Sequence, residues 1–338
     1  MRTKILIVVM ILCLAFVHTP LASVHTPRAQ DPAPAPATPP SAGPVVALSM
    51  IVTDKDGKGL NTISKDELRV FENQIEQTIL GIEADERPVD YVIVMDSTGS
   101  FKEFLQSAVD AAKLFVVNRR PQDEVAVVRF AGSNTIEKVV EFSTDGAVLQ
   151  KELDGSYVEG GQSAVIDALY LSTQYVAEHK SNEGRRKALV VFTDGDERLS
   201  YYKIKDLINL LYQESVQMFA IGFVTDLNNQ QKPKKGQAPP RERAEKLLAT
   251  LAEQSGGRVF LPENKEQIVA SAAEILLHLR AQFRIKYQSN TDVAKTGLRD
   301  VEVKFATPEG ETRHVVTPRA YWFGPKPPPG KSEKKKKS

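Results

Sequence analysis

The stretch YVIVMDSTGSFKEF, from Tyr91 to Phe104, passes from five apolar or aromatic residues directly into an acid and then into four small residues. A run that is apolar on successive residues is typical of a parallel strand covered on both faces, because neither face of such a strand meets water. Asp96 would then end a buried strand, with three hydroxyl groups in the loop that follows. Such a loop suits either a metal ion that prefers oxygen ligands or phosphoryl transfer to the aspartate itself.

Further apolar, strand-like runs follow along the chain. Strand-like runs at 125–130, 188–192, 216–224 and 257–261 alternate with helical stretches at 103–117, 163–178, 202–214, 241–254 and 265–281. This alternation predicts an α/β domain with a mostly parallel sheet. The run at 135–142 follows its neighbour after a turn too short for a helical crossover, so we expect an antiparallel edge strand there.

Both flanks of this region have the pattern of short strands. Residues 46–87 and 284–323 alternate apolar and polar residues and contain turn signals. Each flank is too small to fold alone. We therefore expect them to pack together as one small β domain, into which the α/β domain at 88–283 is inserted.

The N-terminus predicts export. Arg2 and Lys4 precede an apolar run from Ile5 to Val17, which is shorter than the roughly 20 residues that span a bilayer. This order is typical of a signal peptide, here residues 1–29, and predicts a periplasmic or secreted protein with no transmembrane segment in the mature chain.

The amino-acid composition limits the kinds of binding partner that we expect. Lys and Arg number 44 against 43 Asp and Glu, so the charge balance gives no reason to expect a nucleic acid. Residues 30–45 are a Pro/Ala-rich linker, and residues 324–338 are a Pro- and Lys-rich tail that we expect to be disordered, with weak contact to anionic surfaces as an alternative. The single cysteine, Cys13, lies within the predicted signal, so the mature protein has no disulfide.

Three loops combine oxygen-bearing side chains with a strand or helix end. The first contains Asp96, Thr98 and Ser100; the second contains Ser163, which follows two glycines; the third contains Asp194, in VVFTDGDE. Ligands of open parallel sheets bind at the carboxyl ends of the strands, so we expect these loops to meet.

Together these side chains predict a site for a hard divalent cation. The hydroxyl oxygens of Thr98, Ser100 and Ser163 would hold Mg²⁺ or Mn²⁺, with Asp96 and Asp194 contributing directly or through water. Because neutral hydroxyls do not cancel the charge of the cation, an acidic side chain of a partner could complete its coordination.

The pattern resembles the metal-ion-dependent adhesion site of von Willebrand factor type A (VWFA) domains, which reads Asp-x-Ser-x-Ser, then Thr, then Asp. The resemblance extends from residue 88 to residue 283, and the segment before it resembles the leading part of exported bacterial VWFA-related proteins. It implies a six-stranded Rossmann-like, doubly wound sheet with one antiparallel edge strand, a bound Mg²⁺, Mn²⁺ or Ca²⁺, and recognition of a protein that presents Asp or Glu. Thr98 and Ser163 depart from the pattern, but both keep a hydroxyl.

Two alternatives stay open. DSTGS also resembles the phosphorylation motif of haloacid-dehalogenase phosphohydrolases, in which Asp96 would be the nucleophile, although Ser97 replaces the lysine of that motif and Thr98 replaces the general acid. The other alternative is a metal-free scaffold. We expect no enzyme activity, because the histidines of the folded part, including His179 and His278, lie in no catalytic or zinc motif.

Overall fold

The computed structural model of the chain describes residues 43–179, 184–230, 236–307 and 312–327. The predicted signal peptide lies outside these ranges, as do most of the predicted linker and most of the lysine-rich tail. Within them, no helix has both the length and the apolar character that crossing a bilayer requires.

The chain forms two sheets. Their strands are, in order, β1 (Val45–Asp54), β2 (Leu68–Glu72), β3 (Ile75–Ala84), β4 (Val89–Asp96), β5 (Glu124–Gly132), β6 (Thr135–Ser143), β7 (Arg186–Thr193), β8 (Val216–Gly222), β9 (Val259–Phe260), β10 (Phe283–Gln288), β11 (Gly297–Phe305), β12 (Arg313–Val316) and β13 (Ala320–Phe323).

Helices connect the strands of the second group. They are α1 (Leu105–Val117), α2 (Gly146–Asp154), α3 (Val165–Glu178), α4 (Ile204–Glu214), α5 (Leu227–Gln230), α6 (Pro240–Ser255) and α7 (Lys265–Arg280).

The six-stranded sheet has the order β6-β5-β4-β7-β8-β9, and all its neighbours are parallel except the β5–β6 pair. This confirms the predicted Rossmann-like α/β fold and places the antiparallel strand at an edge, as expected. The order reverses between β4, the first strand of this sheet in sequence, and β7. In sheets of this kind, ligands bind at such a switch point.

Strand β4 shows why the sheet is covered on both faces. All eight of its residues are buried. Tyr91, Ile93 and Met95 pack in one apolar cluster with α1 and α7, whereas Val92 and Val94 pack in another with α3 and α4. Successive side chains of a strand point to opposite faces, so a run that is apolar at every position needs helices on both.

The sequence prediction missed helix α2. It begins after Asp145, whose carboxylate accepts hydrogen bonds from the backbone amides of Ala147 and Val148, and it buries Leu149 and Leu153. An acidic N-cap followed by apolar residues four positions apart was the available signal. Strand β9 also differs, since it has two residues where the sequence predicted five.

The antiparallel sheet takes strands from both flanks of the chain. Its order is β12-β1-β10-β3-β2-β11-β13, so β10 from the C-terminal flank lies between two strands of the N-terminal flank. Its inward face buries Leu48, Val70, Ile285 and Val303. The described residues fall within one compact unit, and the domain boundaries given above stay a prediction.

A buried carboxylate links the two flanks of the chain within this antiparallel sheet. Glu72 has no exposed surface and accepts hydrogen bonds from the hydroxyls of Tyr287 and Tyr321, both at 2.8 Å, and from those of Ser289 and Thr291. These hydrogen bonds favour the ionised form and hold the pKa of Glu72 below its ordinary value, although burial opposes them. One side chain of the N-terminal flank is thereby tied to four of the C-terminal flank.

Arg258 links the turn that follows β1 to His278 of helix α7. The guanidinium of Arg258 donates a hydrogen bond to the carbonyl of Gly57 at 2.6 Å, and the same Nη1 lies 3.1 Å from Nε2 of His278. Burial, together with the charge of Arg258, lowers the pKa of His278 to about 4. The folded protein therefore holds this imidazole neutral.

We expect acidification to destabilise the protein through His278. In the unfolded chain this imidazole titrates near 6.5, so its contribution is fully present above that pH and is lost as the pH falls toward 4. At pH 5 the loss is about 2 kcal/mol. His278→Gln should remove this part of the pH dependence in urea unfolding, whereas the exposed control His314→Gln should keep it. Equal pH dependence in the wild type and in His278→Gln would contradict the assignment.

Candidate metal centre

The carboxylate of Asp96 lies at the end of β4 with no exposed surface. Its Oδ1 accepts hydrogen bonds from the amide of Thr98 at 2.9 Å and from the hydroxyl of Thr98 at 2.6 Å. Its Oδ2 accepts one from the hydroxyl of Thr193, the last residue of β7, at 2.6 Å. Asp96 therefore joins its own loop to the neighbouring strand.

The three hydroxyls of the first loop make different contacts, and only that of Thr98 reaches Asp96 directly. Thr98 precedes the short 3₁₀ turn Gly99–Phe101 but makes no side-chain capping bond to it, so helix capping does not explain this residue. The Oγ atom of Ser100 lies 3.2 Å from Oγ1 of Thr98. The hydroxyl of Ser97 donates instead to the carbonyl of Tyr157, which takes it out of the candidate site.

The loop that carries Ser163 lies against the first loop. The amide of Gly160 donates a hydrogen bond to the carbonyl of Ser97 at 3.3 Å. Gly161 has a φ of +94°, and a Cβ there would lie 2.4 Å from the carbonyl oxygen of Ala131, so only glycine fits. Ser163 is 1% exposed, and its Oγ has no hydrogen-bond partner among the described residues.

Asp194 directly follows β7 and is equally buried. Its Oδ1 accepts a hydrogen bond from the amide of Asp196 at 3.0 Å, whereas its Oδ2 has no partner in the part of the chain that the structure describes. The third loop, which contains Asp194, also contacts the second loop, because the amides of Arg198 and Leu199 both donate to the carbonyl of Ser163. The three loops that contain the predicted ligands are thus in mutual contact.

The neighbouring acids serve the loops themselves. The carboxylate of Asp196 pairs with Arg198, and that of Glu197 accepts a hydrogen bond from the amide of Ile166 in the first turn of α3. A carboxylate at a helix N-terminus satisfies amides that have no partner within the helix. Sequence analysis did not identify this role of Glu197, nor the contact between Thr193 and Asp96.

The negative charges of the buried carboxylates Asp96 and Asp194 are only partly offset by their surroundings. Burial, followed by the charge of Asp194, raises the pKa of Asp96 to about 7. Burial also raises the pKa of Asp194, although the hydroxyl of Ser100 and the amide of Asp196 act in the opposite direction. Two ionised carboxylates taken out of water need a nearby positive charge.

The residues fit a divalent cation. Two of the buried oxygen atoms that have no hydrogen-bond partner among the described residues, Oγ of Ser163 and Oδ2 of Asp194, belong to two of the three predicted loops. Hydroxyl and carboxylate oxygens are the ligands that Mg²⁺ and Mn²⁺ prefer. A cation here would also offset the charge of Asp96 and Asp194.

A second group of metal-compatible side chains lies at the opposite end of the sheet. Single ligand atoms of Asp90, Glu124 and His179 lie within 4.8 Å of one another. However, Asp90 accepts hydrogen bonds from Arg185, and Nε2 of His179 is 3.0 Å from Glu124. Because these groups are engaged with protein partners, we interpret the cluster as an ion-pair network.

The fold and the loops at its switch point define an α/β domain of the Rossmann-like class with a candidate cation site at the carboxyl ends of its strands. Residues 90–272 match the von Willebrand factor type A domain family. Since this match covers more than half of the chain, the protein belongs to that family. No match was found among curated proteins.

Three of the solved structures that this chain resembles come from two bacteria and a mussel. An aerotolerance-related membrane protein from Bacteroides fragilis is 16% identical, with 56% of this chain and 98% of that chain covered and a TM-score of 0.43. Protein BatB from Bacteroides thetaiotaomicron is 17% identical, with the same coverage and TM-score. Proximal thread matrix protein 1 of the mussel byssus is 18% identical, with 62% of this chain and 50% of that chain covered and a TM-score of 0.44.

Neutralising one buried acid should stabilise the protein in the presence of a chelator. Asp194→Asn keeps an oxygen for the amide of Asp196 but removes a buried charge, so we expect the free energy of unfolding at pH 8 to rise by about 1 kcal/mol. The gain should disappear at acidic pH, where Asp194 itself is protonated. Urea unfolding measures both values.

Asp110→Asn is the matched control, because this exposed aspartate of α1 accepts only a side-chain hydrogen bond from Gln106 among the contacts described for it. Its unfolding free energy should change little. An Asp194→Asn variant that is less stable than the wild type at pH 8 would refute the electrostatic argument.

Proposed function

We propose that this protein is an exported, metal-dependent binding module that engages an acidic residue of a partner protein. The hydroxyls of Thr98, Ser100 and Ser163 would hold the cation, with Asp96 and Asp194 contributing directly or through water. The bound cation would supply a positive, electrophilic point to which a carboxylate of the partner could bind. Mg²⁺ is the expected ion, with Mn²⁺ or Ca²⁺ as alternatives.

The observation that supports this most is that Oγ of Ser163 and Oδ2 of Asp194 are buried without a hydrogen-bond partner in the described part of the chain. Buried polar atoms in folded proteins nearly always have a partner, and an ion is one of the few that suits both a hydroxyl and a carboxylate oxygen. Their position beside the switch between β4 and β7 agrees with where sheets of this order bind ligands.

Membership of the VWFA family supports an interaction module more than an enzyme. The phosphohydrolase hypothesis receives no support from the contacts of Asp96. A nucleophilic carboxylate must reach the substrate, whereas both oxygens of Asp96 accept hydrogen bonds from Thr98 and Thr193 and have no exposed surface. We therefore propose that the protein has no catalytic activity.

The proposal also assigns roles to the segments outside the module. Export rests on the signal predicted at residues 1–29, which would place the module in the periplasm or outside the cell. The flanks at 46–87 and 284–323 would form the small β domain into which the module is inserted. The lysine-rich tail would add at most a weak contact with anionic surfaces.

Calorimetric titration of the purified mature chain with Mg²⁺ and Mn²⁺ tests the cation site. Asp96→Ala combined with Asp194→Ala should abolish the heat of binding, because it removes both buried charges. A control with Asp110→Ala and Glu302→Ala removes two exposed acids and should bind as the wild type does. Heat of binding that survives the first double substitution would overturn the site.

Ser163→Ala separates binding from stability. Because Oγ of Ser163 has no hydrogen-bond partner among the described residues, its loss should leave the free energy of unfolding in chelator nearly unchanged. The same change should weaken Mg²⁺ binding by about tenfold or more. An affinity equal to that of the wild type would remove Ser163 from the ligand set.

Capture of partners from the native cell envelope tests recognition. Proteins retained by the immobilised mature chain in Mg²⁺ should be released by a chelator and should not be retained by Ser163→Ala. Retention that is indifferent to both would support a metal-free scaffold.

A further inference from the structure

A cavity of about 300 Å³ lies between the antiparallel sheet and the starts of the parallel strands. Its walls come from β1, from the first residues of β7 and β8, from the end of α4 and from β13. Because Arg186 and Val216 begin their strands, the cavity lies at the amino ends of the parallel strands, opposite the candidate metal centre.

The lining of this inter-sheet cavity is strongly basic. Only one acidic residue, Glu214, is among the described residues that line it, against five basic residues: Arg87, Arg185, Arg186, Lys187 and Lys326. Such a lining favours an anionic ligand.

The neighbouring acids do not balance this charge. Asp85 pairs with Arg87, and Asp90 pairs with Arg185. Glu214 is shared, since its carboxylate lies 4.0 Å from the amine of Lys187 and 2.8 Å from that of Lys326. Asp123 and Glu124 also act on Arg185, and Asp123 pairs with Arg120. With these groups counted, six cations face five carboxylates.

Arg186 is the most deeply buried of the five. It is 4% exposed and donates one hydrogen bond, from Nη2 to the carbonyl of Leu279. Its Nε lies 4.0 Å from Oδ1 of Asp85, beyond hydrogen-bond distance, and neither Nε nor Nη1 has a hydrogen-bond partner among the described residues. A buried guanidinium with unused donors is costly unless an acceptor reaches it.

The acid–base behaviour of the lining agrees with this shortage of negative charge. Burial lowers the pKa of Arg186 to about 10. The charges of Arg120 and Arg87 act in the same direction, whereas those of Asp85 and Asp123 oppose it. Burial also lowers the pKa of Lys187, and the charge of Lys326 adds to this effect. An anion in the cavity would favour the charged form of whichever of these groups it reaches.

We propose that the inter-sheet cavity binds a small oxyanion of the phosphate or carboxylate class. Arginine recognises both groups through paired N–H donors, and the lysines supply further charge. The volume is at the lower end of small-molecule sites, so the ligand is an ion or a small polyanionic compound. This site is independent of the metal centre and goes beyond the proposed function.

A ligand in this cavity would stabilise the contact between the two sheets. Ser49 and Tyr321 belong to the antiparallel sheet, whereas Lys187 and Gln217 belong to the parallel one, and all four line the cavity. Binding to the folded state alone raises the melting temperature with ligand concentration.

The test uses the mature chain in chelator, so that the metal centre does not contribute. Phosphate and citrate are titrated separately by calorimetry and by thermal melting, against sodium chloride at equal ionic strength. We expect saturable binding and a rise in Tm with at least one of them, and shifts of the backbone amide resonances of Gln217 and Ala320. Binding of phosphate alone, of citrate alone or of both assigns the member of the class, whereas saturable binding of neither overturns the proposal.

Variants then test the position of the site. Because Arg186 is buried and its replacement could prevent folding, Lys187→Gln and Lys326→Gln are the informative changes. Each removes a charged donor and should weaken binding by about tenfold. Lys304→Gln and Lys138→Gln remove exposed lysines that pair with acids elsewhere and should bind as the wild type does. An equal loss in both pairs would show general charge attraction and overturn the assignment.

Discussion

The burial of the Asp96 carboxylate is the constraint on which the surrounding loops depend. An ionised carboxylate without exposed surface needs donors on both oxygens, and here one donor residue follows it in sequence while the other ends β7. The parallel register pairs Met95 with Phe192 and therefore places Thr193 level with Asp96. Any shift of β7 along β4 would therefore leave Asp96 without its second donor, so the register and the site stabilise each other.

Much of the fold could be predicted because its strands are apolar at every position. Such runs indicate parallel strands with helices on both faces, and the carboxyl ends of parallel strands meet at one edge. The meeting of the loops around Asp96, Ser163 and Asp194 follows from that geometry, since each follows a strand or opens a helix. The edge position of β6 could also be predicted from the sequence, because a short turn permits only an antiparallel neighbour.

The remaining features depend on contacts between distant residues. Thr193 donates to a carboxylate 97 positions away, and nothing in its local sequence distinguishes it from an ordinary strand residue. Arg186 looks like the polar start of a strand, yet packing of the antiparallel sheet buries it. Local periodicity reports which face of an element is apolar, but it does not report which polar groups another element will cover. Helix α2 was missed for a different reason, since only two apolar residues mark its buried side.

The insertion of β10 between β1 and β3 has a consequence for the order in which the chain folds. Met50 is paired with Phe283, and Ala84 is paired with the same residue from the other side, so β1 and β3 are not joined in one sheet until the chain has been made as far as residue 288. The parallel sheet between them contains its own core and can form first. Closing the antiparallel sheet across so long a sequence separation is expected to be the slow step. During that interval, β1 and β3 would expose unpaired edges, and a chain emerging into a crowded compartment would be most prone to aggregate at this stage.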